Sequence, residues 1–301
     1  MRLITLLLSV FISFGAVAQE NALDFYGDVM INAIEPDHKA YAASQFHKLL
    51  EKRLAKKNSF TDKLRDIEWI SKIYPMDSTF RVLSYQVEID DHQFQSFGYL
   101  QMSGGKLIKL TDQSNEMGED AAYIQSDQNS WFGALYYNIL EFDFEGKTQY
   151  LLFGYDGYSE FDRRKVVDVI SEINGGDVVF GNEIFVKKAE GERDDRMHRI
   201  IISYSSDSNV TLNYNPSLDM IVHDHLIARI GSIPGQGATY LSDGSLVGYR
   251  YENNEWIYTP DLFTNVTVPS NAPRPHPVLG EDKKTNIFGR QEVNKKKRSK
   301  K

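Results

Sequence analysis

Cysteine is absent from the 301 residues. That removes disulfides, thiolate metal sites, cysteine nucleophiles and a lipidated cysteine behind a leader. A chain of this length buries about three quarters of its unfolded surface, so its core needs no covalent staples even in an oxidising compartment. Beyond the first twenty positions no apolar run reaches about 18 residues, so nothing there reads as a membrane-spanning helix. Motifs are equally scarce. No G-x-S-x-G elbow occurs, and the glycine-rich stretch Gly231 to Gly237 runs into strand-like residues rather than the helix N-terminus a phosphate cradle requires.

What is present begins with Met1-Arg2, the apolar run Leu3 to Val17, and Ala16-Val-Ala18 before Gln19. A positive n-region, an h-region and an A-x-A site make residues 1–18 a secretory signal peptide, and the expected product is soluble and exported, periplasmic or secreted. The formal net charge of -8 conceals a division. Taking away the six cations among Lys295 to Lys301 and that of Arg2 leaves -15 on residues 19–294. An acidic body repels nucleic acid and anionic lipid, and the basic tail alone is suited to an anionic surface.

The expected fold class is α+β and mainly β: an antiparallel, meander-rich sandwich or open barrel with N-terminal helices. Residues 19–78 read as a helical section. In Glu35 to Asn58, Pro36 suits the first turn, and Tyr41, Phe46, Leu49, Leu50 and Leu54 form an apolar stripe. A second helix is expected from Thr61, as cap, to Pro75, with Leu64, Ile67 and Ile70 on one face. Tyr41 and Phe46 are expected in the core.

Residues 79–260 read as the β domain. Its strongest signal is a meander over Leu135–Phe144, Gln149–Tyr155 and Arg164–Ile173: the outer two alternate, and the middle one is a continuous apolar run. Hairpin turns are expected at Asp90 to Gln93, Ser103-Gly-Gly105, Asn174-Gly-Gly176, Ser206 to Asn209 and Asn253-Asn254. Phe-Gly pairs at Phe97, Phe132, Phe153 and Phe180 recur at 35, 21 and 27 residues, too irregularly for a repeat architecture. They read as glycines over which an aromatic ring can lie. Residues 261–301, with Pro269, Pro273, Pro275 and Pro277 before the basic run, read as a flexible tail.

The segments Trp131 to Tyr137, Tyr150 to Asp156, Arg164 to Asp168, Val179 to Gly181, Met220 to Leu226 and Asp243 to Ser245 with Trp256 give residues 79–260 a recognisable pattern. On these the chain resembles a family of exported proteins of the Bacteroidota to which no activity is assigned. The resemblance implies an envelope or secreted location. It supplies no catalytic residues.

Three sets of residues carry possible chemistry. His223 and His225 lie on one face of a strand with Asp224 opposite, and two imidazoles at that spacing can share a divalent metal if a third ligand, such as Asp219, joins them. Asp156, Glu160 and Asp162 in one loop could hold calcium through oxygens, although their spacing is not that of an EF-hand. The sequence holds 17 Tyr, 17 Phe and 3 Trp. Aromatics on a sheet face can stack on sugars, and Trp131, Tyr136, Tyr137, Tyr155 and Tyr158 are the candidates. The expected function is therefore a non-enzymatic envelope protein that binds a protein or a glycan, with no required cofactor. The alternative is a metal-dependent hydrolase built around His223 and His225.

Overall fold

Helix α1 over residues 22–32 and helix α2 (Pro36–Leu54) form an outer layer. α2 starts as its sequence dictates, with Pro36 in the first turn and Asp37 beside it, and ends on Lys52 and Arg53, where cations suit the carbonyl end. Its buried face is Ala42, Ala43, Phe46, Leu50 and Leu54. Tyr41 is not in the core: it is 61% exposed, with its ring edge against Tyr26. The computed structural model describes residues 22–90, 93–189, 191–231, 236–260 and 262. These belong to one compact unit that ends at Leu262, and Phe263–Lys301 is a second unit. The expected signal peptide, and all of the expected tail but Leu262, lie outside the described residues.

The second helix does not form. Ser59–Thr61 is a single 3-10 turn, and the chain then runs irregularly to strand β1 (Ser71–Ile73). The periodic Leu64, Ile67 and Ile70 are still buried against α2, so spacing marked a core face correctly without specifying a helix. Side chains explain why. The Asp62 carboxylate accepts the Leu64 N–H at 3.0 Å and Leu64 sits at φ 50°, outside the right-handed helical region. Arg53 holds Asp62 and Asp66 together across the same loop.

Three sheets follow, antiparallel except at one pairing. The first is β1, β2 (Phe80–Asp90), β3 (Gln93–Met102) and β4 (Leu107–Thr111), in that order. After helix α3 (Ser114–Met117) and a 3-10 turn over Gly118–Ala122 comes β5 (Ser126–Asp127). The second sheet has the order β5-β9-β8-β7-β6, from β6 (Leu135–Phe144), β7 (Lys147–Asp156), β8 (Asp162–Asn174) and β9 (Asp177–Phe180). β12 (Ile200–Ser205) also pairs with β8, end to end with β9 along the edge opposite β7. The third sheet uses β10 (Phe185–Lys187), β11 (Asp195–Met197), β13 (Leu212–Asn215), β14 (Met220–Ile230), β15 (Ala238–Glu252) and β16 (Glu255–Thr259). Its order is β11-β10-β16-β15-β14-β13, with β10 and β16 parallel.

The expected meander is thus β6-β7-β8, and the middle sheet is covered on both faces. Leu152 of β7 packs with Phe80, Val82 and Leu100 of the first sheet, whereas Leu151 and Phe153 pack with Ile221, Tyr249 and Trp256 of the third. A strand with a core on either side has no polar face to alternate with, which is why β7 reads as an unbroken apolar run. The class is α+β, dominated by antiparallel sheets stacked in layers, and among the described residues no sheet closes into a barrel.

Consecutive strands pair as hairpins at four of the five expected places, Asp90 standing opposite Gln93 where β2 and β3 meet. Asn253 and Asn254, at φ 53° and 64°, close the β15–β16 hairpin with the backbone that a two-residue primed turn requires. The two Gly-Gly turns join β3 to β4 and β8 to β9. The residues from Ser206 to Asn209 close no hairpin: they carry the chain from β12 in the second sheet to β13 in the third. Rings lie over glycine at Gly98, where an added Cβ would come within 2.9 Å of the Trp131 ring, and at Gly154, within 2.9 Å of the Tyr136 ring.

Candidate binding cleft

Between the Ser114–Tyr123 segment and strands β8, β10, β11 and β12 lies a cleft of about 480 Å³, within the ordinary range for small-ligand sites. Tyr123 and Tyr158 border it and are 50% and 40% exposed. Arg164 of β8 forms part of its wall, Lys187 of β10 and Asp195 of β11 contribute charge, and Met197 and Ile201 supply an apolar patch.

The β7–β8 hairpin builds the floor. Asp156 and Arg164 are cross-strand partners at its end, and both are buried. The Asp156 Oδ2 accepts Arg164 Nε at 2.6 Å, with Nη2 at 2.5 Å. Its Oδ1 accepts Gln86 Nε2 at 2.8 Å and the Tyr158 N–H at 3.0 Å. The guanidinium lies 3.8 Å from the centre of the Tyr158 ring and 4.9 Å from that of Phe132, so rings and carboxylate fix it.

The loop that presents Tyr158 is equally constrained. The Gly157 N–H donates to Gln86 Oε1 at 2.9 Å, and Arg163 donates to the carbonyls of Gly157, Ser159 and Asp162. Tyr158 itself stands at φ 49°. A non-glycine residue is uncommon in that region, and such local strain concentrates at functional sites. The opposite wall is held by Arg199, which donates to the carbonyls of Ala121 and Ile124 and to Ser126 Oγ while paired with Asp168. Burial, followed by the adjacent Asp195 carboxylate, pushes the Tyr123 phenol above its ordinary value.

The expected site residues separate. Tyr158 borders the cleft and Asp156 sits beneath it. Trp131 is fully buried, with its indole N–H donating to the Tyr136 hydroxyl at 2.9 Å, so neither residue is available for stacking on a ligand. Tyr155 and Tyr137 are half-buried beside Lys165, and the Tyr137 hydroxyl donates to the Leu212 carbonyl. Among the oxygens proposed for calcium, those of Asp156 are occupied by Arg164, Gln86 and Tyr158, Glu160 is exposed, and Asp162 faces the Thr239 hydroxyl at 3.5 Å.

The two histidines are engaged separately. His225 is the one residue of β14 that faces an excursion of β15 over Asp243 to Ser245, and its Nδ1 lies 2.8 Å from Asp243 Oδ2. His223 is 9% exposed, with Nδ1 2.8 Å from the Asp224 carbonyl oxygen. Asp219 sits in the turn before β14 at φ 53° and accepts the Tyr214 hydroxyl. Among the described residues no group of three or more His, Asp or Glu side chains is placed to hold a metal ion.

Burial lowers the His223 pKa from its ordinary 6.5 to about 4. Because the folded value lies below the unfolded one, protonation favours the unfolded chain. Stability is full above pH 6.5 and declines as the pH falls from there towards 4. The expected loss from this residue is about 3 kcal/mol. His47, lowered to about 4 mainly by burial, acts in the same direction. Urea denaturation at neutral pH and at about pH 4 checks this: His223→Asn should lose markedly less stability between the two conditions than the parent.

Tyr123, Lys187 and Asp195 were not legible as site residues, because three separate elements bring them together. Arg164 left one trace in the sequence: an arginine and an aspartate, Asp156, at mirrored distances from a hairpin turn inside two apolar strands.

No family model, curated protein or solved structure matches the chain. The class is therefore set by the fold alone, an α+β protein of layered antiparallel sheets. Among the described residues no helix is long and apolar enough to cross a membrane.

Proposed function

We propose that this chain is an exported envelope protein that binds a glycan in the cleft between Tyr123 and Tyr158 without catalysing its turnover. The signal-peptide pattern of residues 1–18 and the resemblance to exported Bacteroidota proteins support export. The carrying observation for binding is Tyr158, whose N–H donates to Asp156 and whose loop is tied down by Gln86 and Arg163, in a backbone region unsuited to tyrosine, with 40% of its surface exposed at the cleft. An exposed ring kept in strain has its use in what it touches. A sugar presents an apolar C–H face to an aromatic ring and hydroxyls to polar neighbours, and this cleft offers both kinds of partner.

A glycan-array screen followed by calorimetry tests the reading. Tyr158→Asn, a residue at ease at positive φ, is expected to change stability by less than about 1 kcal/mol while weakening glycan binding at least about tenfold. Tyr123→Ala should weaken the same ligand. If no glycan binds the parent, or if Tyr158→Asn leaves affinity intact, the reading fails.

A further inference from the structure

The far halves of β14 and β15 leave the third sheet as a two-stranded ribbon. Residues 226–230 pair with 238–242, whereas β13 reaches only as far as His223 of β14, and β16 only as far as Gly248 of β15. The Asp224 N–H donates to the Thr211 carbonyl at 3.3 Å, on the β13 side of β14 and away from β15. The two-residue period of a strand turns the backbone N–H and C=O of Leu226, Ala228 and Ile230 the same way. Among the described residues no strand pairs with them there.

The side chains beside that edge are apolar. Leu226, Ala228 and Ile230 stand opposite Ser242, Tyr240 and Ala238 on one face of the ribbon. Ala228 and Ala238 are exposed, as are Ile230 at 87% and Tyr240 at 46%. A quarter of the chain is charged, yet residues 226–242 contain one charged side chain, Arg229. Strand edges that stay single are normally shielded by charges, proline or a covering loop, and this one has little of that protection.

The chemistry of the edge selects its partner. A bilayer would cover the apolar face but leave the outward N–H and C=O groups unpaired, so a strand fits better. Bodies of net charge -15 repel one another and can meet only where the surface is uncharged, as it is here. The edge is also its own complement. In antiparallel pairing about a two-fold axis at Ala228, Leu226 faces Ile230 of the second copy and Arg229 faces Ile227, so no like charges stand opposite each other. We propose that the chain forms a two-fold dimer in which the β14 edges of two copies pair about Ala228, joining the ribbons into one four-stranded sheet. This dimer does not depend on the glycan reading.

Sedimentation equilibrium of the purified protein tests it, with an expected mass twice that of one chain. Ala228→Pro removes an outward N–H and no bond within the ribbon, and it should weaken association at least about tenfold. Ile230→Lys should do the same. Because the sequence has no cysteine, Ala228→Cys supplies a single thiol. The two-fold axis places the two Cα atoms about 5.5 Å apart, within disulfide reach, so air oxidation should give a covalent dimer. Met76→Cys, at a position 92% exposed elsewhere in the fold, should remain uncrosslinked. The crosslink stands as a test whether or not Ala228→Pro folds. A monomeric parent, a dimer that persists at full strength in folded Ala228→Pro and Ile230→Lys, or equal crosslinking through both cysteines overturns the proposal. A monomer that sediments with phosphatidylcholine vesicles would assign the ribbon to a bilayer instead.

Discussion

Asp168→Ala is expected to destabilise the protein by about 3–5 kcal/mol in urea denaturation. Asp168 and Arg199 are each 0% exposed and paired at 3.1 Å. Without the carboxylate, a guanidinium remains in the interior with no counter-charge, and that uncompensated charge is the largest single penalty a substitution here can create. The loss is a sizeable part of the roughly 5–15 kcal/mol that a folded domain possesses. Replacing both partners, as Asp168→Leu with Arg199→Met, should recover part of it because no charge is left behind. Glycan binding should not recover in the double variant. Arg199 draws the carbonyls of Ala121 and Ile124 onto β8, and without it the wall bearing Tyr123 loses its anchor. A double variant as unstable as the single one would show that the pair is more than a compensated charge.

Trp131→Ala should cost about 3–5 kcal/mol, the range for removing a large buried aromatic. Trp131 is fully buried between the first and second sheets, among Leu100, Ile108, Tyr136 and Ile170. Its ring lies against Gly98 of β3, where even a Cβ would meet it at 2.9 Å. Its indole N–H also satisfies the Tyr136 hydroxyl, which stands 3.5 Å from Asp168 Oδ2. The deletion therefore opens a cavity and loosens the same polar chain that ends at Arg199. Trp131→Phe fills most of the space and should cost clearly less. A glycan affinity unchanged in a folded Trp131→Phe would separate this residue from ligand contact.

Much of the architecture was legible because local chemistry and burial agreed. The β6–β7–β8 meander, the two Gly-Gly turns and the Asn253-Asn254 turn all follow from side-chain alternation or from residues that accept positive φ. Disagreement arose where tertiary contacts overrode spacing. Leu64, Ile67 and Ile70 have helical periodicity, yet the Asp62 cap on Leu64 N–H and the Arg53 pairs hold that segment in a loop. Tyr41 falls on the expected stripe of α2, but Ala42 and Ala43 take the buried positions instead. Trp131 stood among the candidates for stacking on a ligand because nothing in sequence reveals that Gly98, 33 residues earlier, makes room for its ring. The site was the least legible part. Only Tyr158, Asp156 and its cross-strand partner Arg164 left a trace, since the cleft is assembled from α3, β8, β10, β11 and β12, and the distances between them are set by packing of the sheets.

Backbone amide shift mapping during titration with a glycan that binds on the array measures the central claim most directly, because it reports where a ligand sits without relying on a variant. The expected result is one cluster of shifted amides at residues 114–123, 157–164 and 195–203, with β14 and the His223 and His225 region unmoved. Shifts centred on His223, His225 and Asp243 would contradict the assignment of the cleft as the binding site.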